Sequence, residues 1–375
     1  MTAGGIYVHL PYCASRCGYC AFVVTTDGSS RDAYLHAVEA EGALAVEEAC
    51  DWVFDSIYLG GGTPSLLPSA SIERLLSALR KSFGVAADAE VTLEANPEDV
   101  SADAARSWNA AGVTRISVGV QSLSDRELSA VGRRHDSAKA RAAVSLLSAS
   151  GMSVSGDLIL GLPFQTAESF RGSLAGLLEA GVSHVSVYLL EVEKSRVMEE
   201  DRRLHPETYL GDDAQADVWL EMGETLASRG LRHYEISNWG EPGRESRHNL
   251  KYWTRTPTLG LGVAAHEHWA GRRRANVSAL EAYVAGLAQG RRPRALDVEV
   301  GDVEAAKESV YLGLRLSEGV PRAAIETQVK SAGDDRLPAD YDGWFAAGIL
   351  ERAGDRVRFT ERGFLVSNEV LSRFV

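Results

Sequence analysis

Six short runs in the first half of the chain are rich in β-branched and apolar residues and are mostly closed by Gly or Pro. They are Ile6 to His9, Ser56 to Gly60, Val91 to Ala95, Arg115 to Val120, Val154 to Gly161 and His184 to Leu190. Between them lie stretches with helical periodicity, Arg31 to Ala49, Ser69 to Phe83, Ala102 to Ala111, Ser137 to Ser150 and Ala167 to Ala180. Strand and helix recur about every 30 residues, the length of a βαβ unit. Parallel strands joined by right-handed crossovers are the expected result. The prediction is an α/β fold with a whole or partial TIM-type (β/α) barrel, the alternative being an open, doubly wound sheet.

From about Gly290 the pattern changes. Helices near Val303 to Leu316 and Tyr341 to Ala347 precede ILERAGDRVRFT, an alternating hairpin with a tight turn, and then a last helix to Phe374. This is a small helical, winged-helix-like C-terminal unit. The expected division is a barrel over 1–240, a connecting segment over 241–290 that opens with the loop Glu241 to Arg247, and the C-terminal unit over 291–375. A net charge of -13 repels phosphate backbones, and no helix carries a run of Lys and Arg. Nucleic acid is therefore excluded as the main partner, and the C-terminal unit reads as a packing lid. With 45% hydrophobic and 24% charged residues the chain is globular, and no run approaches the roughly 20 apolar residues of a spanning helix. A soluble, cytoplasmic protein is expected.

Three of the four cysteines are bunched at Cys13, Cys17 and Cys20, just after the first strand, where barrels build their sites. An odd, tight cluster makes a poor disulfide framework and a good metal site. Three thiolates on a four-iron cluster leave one iron with open positions for a small molecule. Two alternatives stand beside this reading: a structural zinc with His9 as fourth ligand, or three cysteines sharing one helix face at i, i+4, i+7. Cys50 has no partner at metal spacing and reads as a small buried hydrophobe.

The ends of the next strands carry chemistry in succession. Gly60, Gly61, Gly62 and Thr63 let a backbone approach a ligand's ammonium or carboxylate; Glu94, Gln121 and Asp157 follow on the third, fourth and fifth strands, and Arg133 adds a carboxylate fork. Each alone has a bland role as a helix cap, a turn anchor or half of a surface ion pair. Together they predict a polar ligand with amino, carboxyl and hydroxyl groups.

YVHLPYCASRCGYCAF, YLGGGTPSLL, LEANPE, RISVGVQS, GRRH, DLILGLPFQT, YEISNW and RHNLKYW together resemble the radical S-adenosylmethionine (SAM) superfamily. Within it they are similar to the branch of oxygen-independent coproporphyrinogen oxidases and their heme-chaperone relatives. The resemblance implies that Cys13, Cys17 and Cys20 hold a [4Fe-4S] cluster whose fourth iron is chelated by SAM. It implies Gly61 and Gly62 at the ammonium, Thr63 and Arg133 at the carboxylate, Gln121 and Asp157 at the ribose, Tyr19 near the adenine, and Tyr7 and Glu94 in the same cofactor shell. One electron passing to the sulfonium would give a 5'-deoxyadenosyl radical.

Two departures from the oxidase pattern point to the chaperone group. Ala21-Phe22 follows the third cysteine where oxidases carry x-C, and only Met1 to Gly5 precede the first strand. Ala21 also stands where the chaperone group has Asp. RHNLKYW matches a motif linked to heme binding in that group, nominating His248 as axial ligand, with a histidine hydrogen-bonded inside a folded connection as the alternative. His266 and His268 are rival ligands, and Arg272 to Arg274 either attract propionates or form a solvated loop. The implied function is a heme chaperone delivering heme to heme-accepting proteins, respiratory cytochromes among them, and drawing on an electron donor for the cluster. Peripheral membrane contact and a homodimer stay open. A catalytic radical SAM enzyme acting on a tetrapyrrole such as coproporphyrinogen III, or a related methyltransferase, is the second reading.

Overall fold

The computed structural model describes residues 3–49, 51–331, 333 and 336–374, so Cys50 lies outside the described residues. All six expected strands form: β1 (Gly4–Leu10), β2 (Val53–Gly61), β3 (Gly84–Ala95), β4 (Arg115–Gln121), β5 (Ser153–Leu160) and β6 (His184–Leu189). They are parallel and lie in the order β1-β2-β3-β4-β5-β6. A doubly wound sheet reverses direction at a switch point; this one never does, so crossovers of one hand put the helices on one face and curl the sheet into a partial barrel. The helices between the strands match the expected ones to within two residues, the first running Arg31–Ala49 as expected.

The barrel alternates strictly. Ile6, Val8 and Leu10 on β1, Ile57 and Leu59 on β2, Val91 and Leu93 on β3, and Ile116, Val118 and Val120 on β4 are buried in the main core with the helices. The alternate positions are polar: Tyr7 and His9, Ser56 and Tyr58, Thr92 and Glu94, Ser117, then Ser155 and Asp157. They bond to one another inside the barrel. Tyr58 Oη donates to Glu94 Oε1 at 2.9 Å, Ser117 Oγ to Asp157 Oδ2 at 2.8 Å, and Ser155 Oγ to Asp157 Oδ1 at 2.9 Å.

The sheet continues past the barrel on both sides, which the strand spacing did not predict. On one side β8 (Asn238–Gly240) pairs antiparallel with β6, and β7 (Arg232–Glu235) pairs antiparallel with β8 at the edge. On the other, β9 (Thr258–Leu261) runs parallel to β1 and is followed by the antiparallel β10 (His266–Trp269), β11 (Arg272–Asn276) and β12 (Arg294–Glu299). Residues 294–299, expected within the C-terminal unit, thus belong to the main sheet. The second hydrophobic core begins with Val310 on the helix Asp302–Gly313 and takes in Ile325, Leu337, Leu350, Val357 and Phe364. There the short strands β13 (Val320–Pro321), β14 (Leu350–Ala353) and β15 (Arg356–Phe359) pair in the order β13-β15-β14, the last two forming the expected hairpin. His233 on β7 stacks on Trp239 at 4.2 Å and meets Glu361 of the C-terminal unit at 3.0 Å. No helix of the described residues is long and apolar enough to cross a membrane.

One buried carboxylate ties the sheet extension to the barrel. Glu41, on the first helix and fully buried, accepts from Tyr283 Oη (2.6 Å), Gly262 N–H (2.8 Å), Asn276 Nδ2 (2.9 Å) and Arg292 Nε (3.2 Å). Removing one partner of such a network leaves an uncompensated buried charge. Glu41→Leu should therefore lower stability by about 3–5 kcal/mol in urea unfolding; a loss below about 1 kcal/mol, the size of an exposed ion pair, would show that the network contributes little.

Candidate functional site

A cavity of about 540 Å³ opens at the C-terminal ends of the barrel strands. It is lined by Cys13, Cys17, Cys20, Tyr19, Gly61, Gly62, Thr63, Glu94, Gln121, Arg133 and Asp157, so the structure gathers eleven of the sequence-derived site residues around one space. Tyr7 and His248 are not among its lining residues.

The cysteines sit, partly exposed, on an irregular loop, which removes the shared-helix-face alternative. The neck of the loop is closed by backbone bonds, Cys13 N–H to Thr25 O at 2.9 Å and Thr25 N–H to Pro11 O at 2.8 Å, and Gly18 N–H is held by Val131 O at 3.1 Å. His9 clasps the returning limb: its Nε2 contacts Val23 O at 2.8 Å while Nδ1 meets Tyr7 Oη at 3.1 Å. Burial lowers its pKa, so the ring is neutral, with the proton on Nε2 facing the carbonyl. With both nitrogens taken, His9 has no lone pair for a zinc ion, and Tyr7 acts as its partner. Gly61 makes room for this ring: its φ is +109°, and a Cβ there would lie 2.5 Å from the imidazole.

Donors converge on the sulfurs. Thr63 Oγ1 lies 3.5 Å from Cys13 Sγ, and Arg133 Nη1 lies 3.7 Å from Cys17 Sγ and 3.3 Å from Tyr19 Oη. Arg133 is fixed by Nη2, which donates to Asn96 Oδ1 at 2.7 Å and to Gly119 O at 2.6 Å. Its Nε is buried without a partner. Asn96 also donates to Thr63 Oγ1 at 3.2 Å. Sequence reasoning missed Asn96, although it lies in the same EANPE motif as Glu94. Gln121 takes a left-handed φ of 67° where β4 skips register, the kind of strain that persists at sites held from all sides. Glu94 Oε2 accepts from Gly61 N–H at 3.0 Å, and burial pushes its carboxyl up to about 7. Asp157, held by three serines, is also raised by burial.

His248 lies elsewhere. The helix Arg247–Trp253 sits against the N-terminal ends of β1 and β2, its first turn held by Glu90, which accepts from the N–H groups of Arg247 and His248 at 3.1 Å each. The His248 ring is fully buried, with Nδ1 on Ser56 Oγ and Nε2 on Tyr252 Oη, both at 3.0 Å. Burial, with Lys251 nearby, lowers its pKa to about 3. In this structure both ring nitrogens are engaged, the arrangement of a histidine hydrogen-bonded inside a folded connection. The three arginines offered for propionates are all paired: Arg272 with Asp297, Arg273 with Glu308, and Arg274 with Glu48 and Glu267.

The chain matches the radical SAM superfamily over residues 7–190 and the HemN C-terminal domain over residues 303–366. The heme chaperone HemW of Mycobacterium tuberculosis (strain H37Rv) is 36% identical over 372 residues, covering 98% of this chain and 93% of that protein. The chain belongs to the HemW family of radical SAM proteins. HemW of Escherichia coli (strain K12) is 32% identical over 383 residues, 99% of this chain and 97% of its own. The solved structure of coproporphyrinogen III oxidase (HemN) from Escherichia coli superposes with a TM-score of 0.84 over 100% of this chain and 90% of that one, at 23% identity, which shows the shared fold.

Membership of the radical SAM superfamily implies a [4Fe-4S] cluster and SAM. The residues fit. Three thiols stand together at the cavity, burial raises the Cys13 and Cys20 thiols so that a metal cation is what would ionise them, and two donors already face sulfur. The unpartnered Arg133 Nε beside them is a donor waiting for an anion.

Glu94 gives a pH signature in the protein without cofactors. Its folded pKa of about 7 lies above the ordinary 4.5, so the folded chain keeps a proton that the unfolded chain has released. The associated stability is complete below the unfolded value and is lost as pH rises through the folded one, on the order of 3 kcal/mol for such a shift. Urea unfolding should show this decline from about pH 4.5 to about pH 7, and Glu94→Gln should flatten it. Equal slopes in the two proteins would mean the carboxyl titrates normally.

Proposed function

We propose that this chain is a heme chaperone: it holds a [4Fe-4S] cluster and SAM in the barrel and carries heme to heme-requiring acceptor proteins, respiratory cytochromes being the class that fits. The observation that carries this reading is end-to-end similarity to proteins named heme chaperone HemW, 36% identity over 98% of the chain, joined to a cavity whose lining suits cluster and SAM. Free thiols on an open loop suit the reducing cytoplasm.

In this reading Cys13, Cys17 and Cys20 each bind one iron, and the cluster, when bound, supplies single electrons from an external donor. The protein's own groups bind and orient. Gly61, Gly62 and the Glu94 carboxylate receive the ammonium of SAM; Thr63 and the free Nε of Arg133 receive its carboxylate; Gln121 and Asp157 take the ribose hydroxyls; and Tyr19 lies along the adenine. Two features support these roles. Arg133 is already locked by Asn96 and Gly119, so its guanidinium charge is held in place for a carboxylate. Glu94, half-neutral near pH 7, gains most from a cation that restores its charge.

Protein reconstituted without oxygen should contain iron and sulfide near four of each per chain (roughly, for one cluster). Cys17→Ala should lose both. Arg133→Ala should keep the cluster and bind SAM about 10- to 100-fold more weakly by calorimetry, the loss of one charge-assisted pair. An unchanged affinity would remove Arg133 from the SAM site. Reduced protein given SAM and coproporphyrinogen III should form no protoporphyrinogen, whereas turnover would replace the chaperone reading with an oxidase.

A further inference from the structure

We propose that Tyr234, His184 and Ser155 form a proton relay to Asp157 from the floor of the barrel, the end opposite the cavity, and that Asp157 takes up a proton when the cluster takes an electron. This rests on the reading of the cavity as a cluster and SAM site, which gives His184 and Tyr234 no task. The line of groups is continuous. Asp157 lines the cavity, and its Oδ1 accepts from Ser155 Oγ at 2.9 Å. Ser155 Oγ meets His184 Nδ1 at 2.9 Å, and His184 Nε2 meets Tyr234 Oη at 2.9 Å. Ser155 is opposite His184 across β5 and β6, and Asp157 is opposite Ser186, so the line runs down the lumen away from the cavity to the first residue of β6. Tyr234 reaches it through a bulge. The register between β7 and β8 shifts between His233 and Glu235, and the residue between them turns its ring onto His184, the centroids 5.6 Å apart. His184 is 1% exposed, while Tyr234 is half-buried, its hydroxyl at Ser246 just past the exposed residues 241–244.

The partners fix where each hydrogen lies. Ser246 N–H donates to Tyr234 Oη at 3.2 Å, so the phenol's own hydrogen goes to His184 Nε2. Burial and the neighbouring Arg115 hold the His184 pKa well below its ordinary value, so the ring is neutral and its one hydrogen is on Nδ1, facing Ser155. Ser155 in turn donates to Asp157. Every bond of the line therefore points toward the carboxylate, which also accepts from Ser117 at 2.8 Å and from Ser186. Moving each hydrogen one bond along gives a second arrangement that is equally complete. Asp157 is then protonated and donates to Ser155, Ser155 donates to Nδ1, Nε2–H donates to Tyr234, and one more proton has been drawn from solvent. Both arrangements keep every hydrogen bond, and only Asp157 changes charge. Arg115, 4% exposed and donating to Arg244 O at 2.9 Å, keeps the imidazole from trapping the proton as a cation.

An electron added to a cluster in this cavity brings a negative charge to a space that Glu94 and Asp157 already line, and unbalanced charge is costly in such surroundings. A low-potential one-electron donor supplies the electron, and the proton comes from solvent at Tyr234. Tyr234 gives its hydroxyl hydrogen to Nε2 as it takes that proton, Nδ1 gives its hydrogen to Ser155, and Ser155 gives its own to Asp157. The site gains one electron and one proton, and its net charge does not change. The groups facing Asp157 are Tyr58 from β2, Glu94 from β3, Arg115 and Ser117 from β4, and His184, Ser186 and Tyr188 from β6. Burial raises the Asp157 carboxyl against the pull of three serines and Arg115. Glu94 is the rival acceptor, but among the described residues its donors, Tyr58 Oη and Gly61 N–H, lead no line of groups to the floor. A ligand filling the cavity covers Asp157 from that side, and the route through His184 stays open.

The relay is tested first on the protein without its cluster. Nuclear magnetic resonance of isotope-labelled histidine should show His184, identified by the signal lost in His184→Gln, as a neutral ring with its hydrogen on Nδ1. Acidification that protonates Asp157 should move that hydrogen to Nε2 with the ring still neutral, and Asp157→Asn should abolish the move. In cluster-loaded protein reduced with dithionite, a pH indicator should record uptake of about one proton per electron. The reduction equilibrium should then shift tenfold, about 59 mV, per pH unit. Asp157→Asn should lose both effects. Tyr234→Phe keeps the ring and removes only the hydroxyl; with SAM bound it should leave the total uptake unchanged and slow it about tenfold or more, which a merely structural tyrosine would not do. The relay is overturned if the His184 tautomer is indifferent to Asp157, if Tyr234→Phe takes up protons as fast as the wild type, or if Glu94→Gln rather than Asp157→Asn abolishes the uptake. Protein that binds no cluster would overturn the cofactor reading and the coupling with it, while the tautomer measurement still decides the relay.

Discussion

Carrying a hydroxyl or carboxyl out of water without a hydrogen bond costs roughly 2–7 kcal/mol, and this chain places a row of such groups on every strand of a parallel sheet. Only a sheet curled so that its inner rows meet can satisfy them. Tyr58 then reaches Glu94, and Ser117 and Ser155 reach Asp157, while the opposite rows of Ile, Val and Leu lie under the helices. A flat sheet with both faces covered would need apolar residues on both sides. The polar lumen is thus a condition of the barrel and the source of its binding groups at once.

The cysteine loop depends on that lumen through one side chain. His9 is an inner-row residue, and its ring bridges Tyr7 below to the carbonyl of Val23 above, so the loop is tied to the first strand on its returning limb. Gly61, on the adjacent strand, is what leaves space for the ring. On the far side Arg133 joins the ends of β3 and β4 to the same loop through Asn96, Gly119 and Cys17. Thiols that must share a metal cluster are held by contacts from several strands, so their separation does not rest on loop conformation alone.

The sheet extension is built on the opposite plan. Its inner face buries Glu41 and Glu267 among arginines, an arrangement that is costly to break but adds little over an apolar core. The same pairings consume the arginine run that, in isolation, looked free for an anion. They also fix the register of β10 to β12, and therefore decide which side chains are turned outward.

The strand–helix period, the barrel class and the cavity residues were legible along the chain because each depends on local order: a parallel βα repeat puts the residue after every strand at one end of the sheet, whatever the details of packing. Cys13, Gly61, Glu94, Gln121 and Asp157 could be placed together for that reason alone. Only the tertiary structure decided what became of the histidines and arginines. His248 and His266 look alike in sequence, and burial beneath Tyr58 in one case and exposure on the sheet extension in the other arise from contacts between residues about 190 apart or from strand register. The place of β12 was hidden for the same reason. Hydrogen bonding across a sheet edge leaves no periodic trace in the strand that makes it, so residues 294–299 read as part of the neighbouring unit until their partner strand was known.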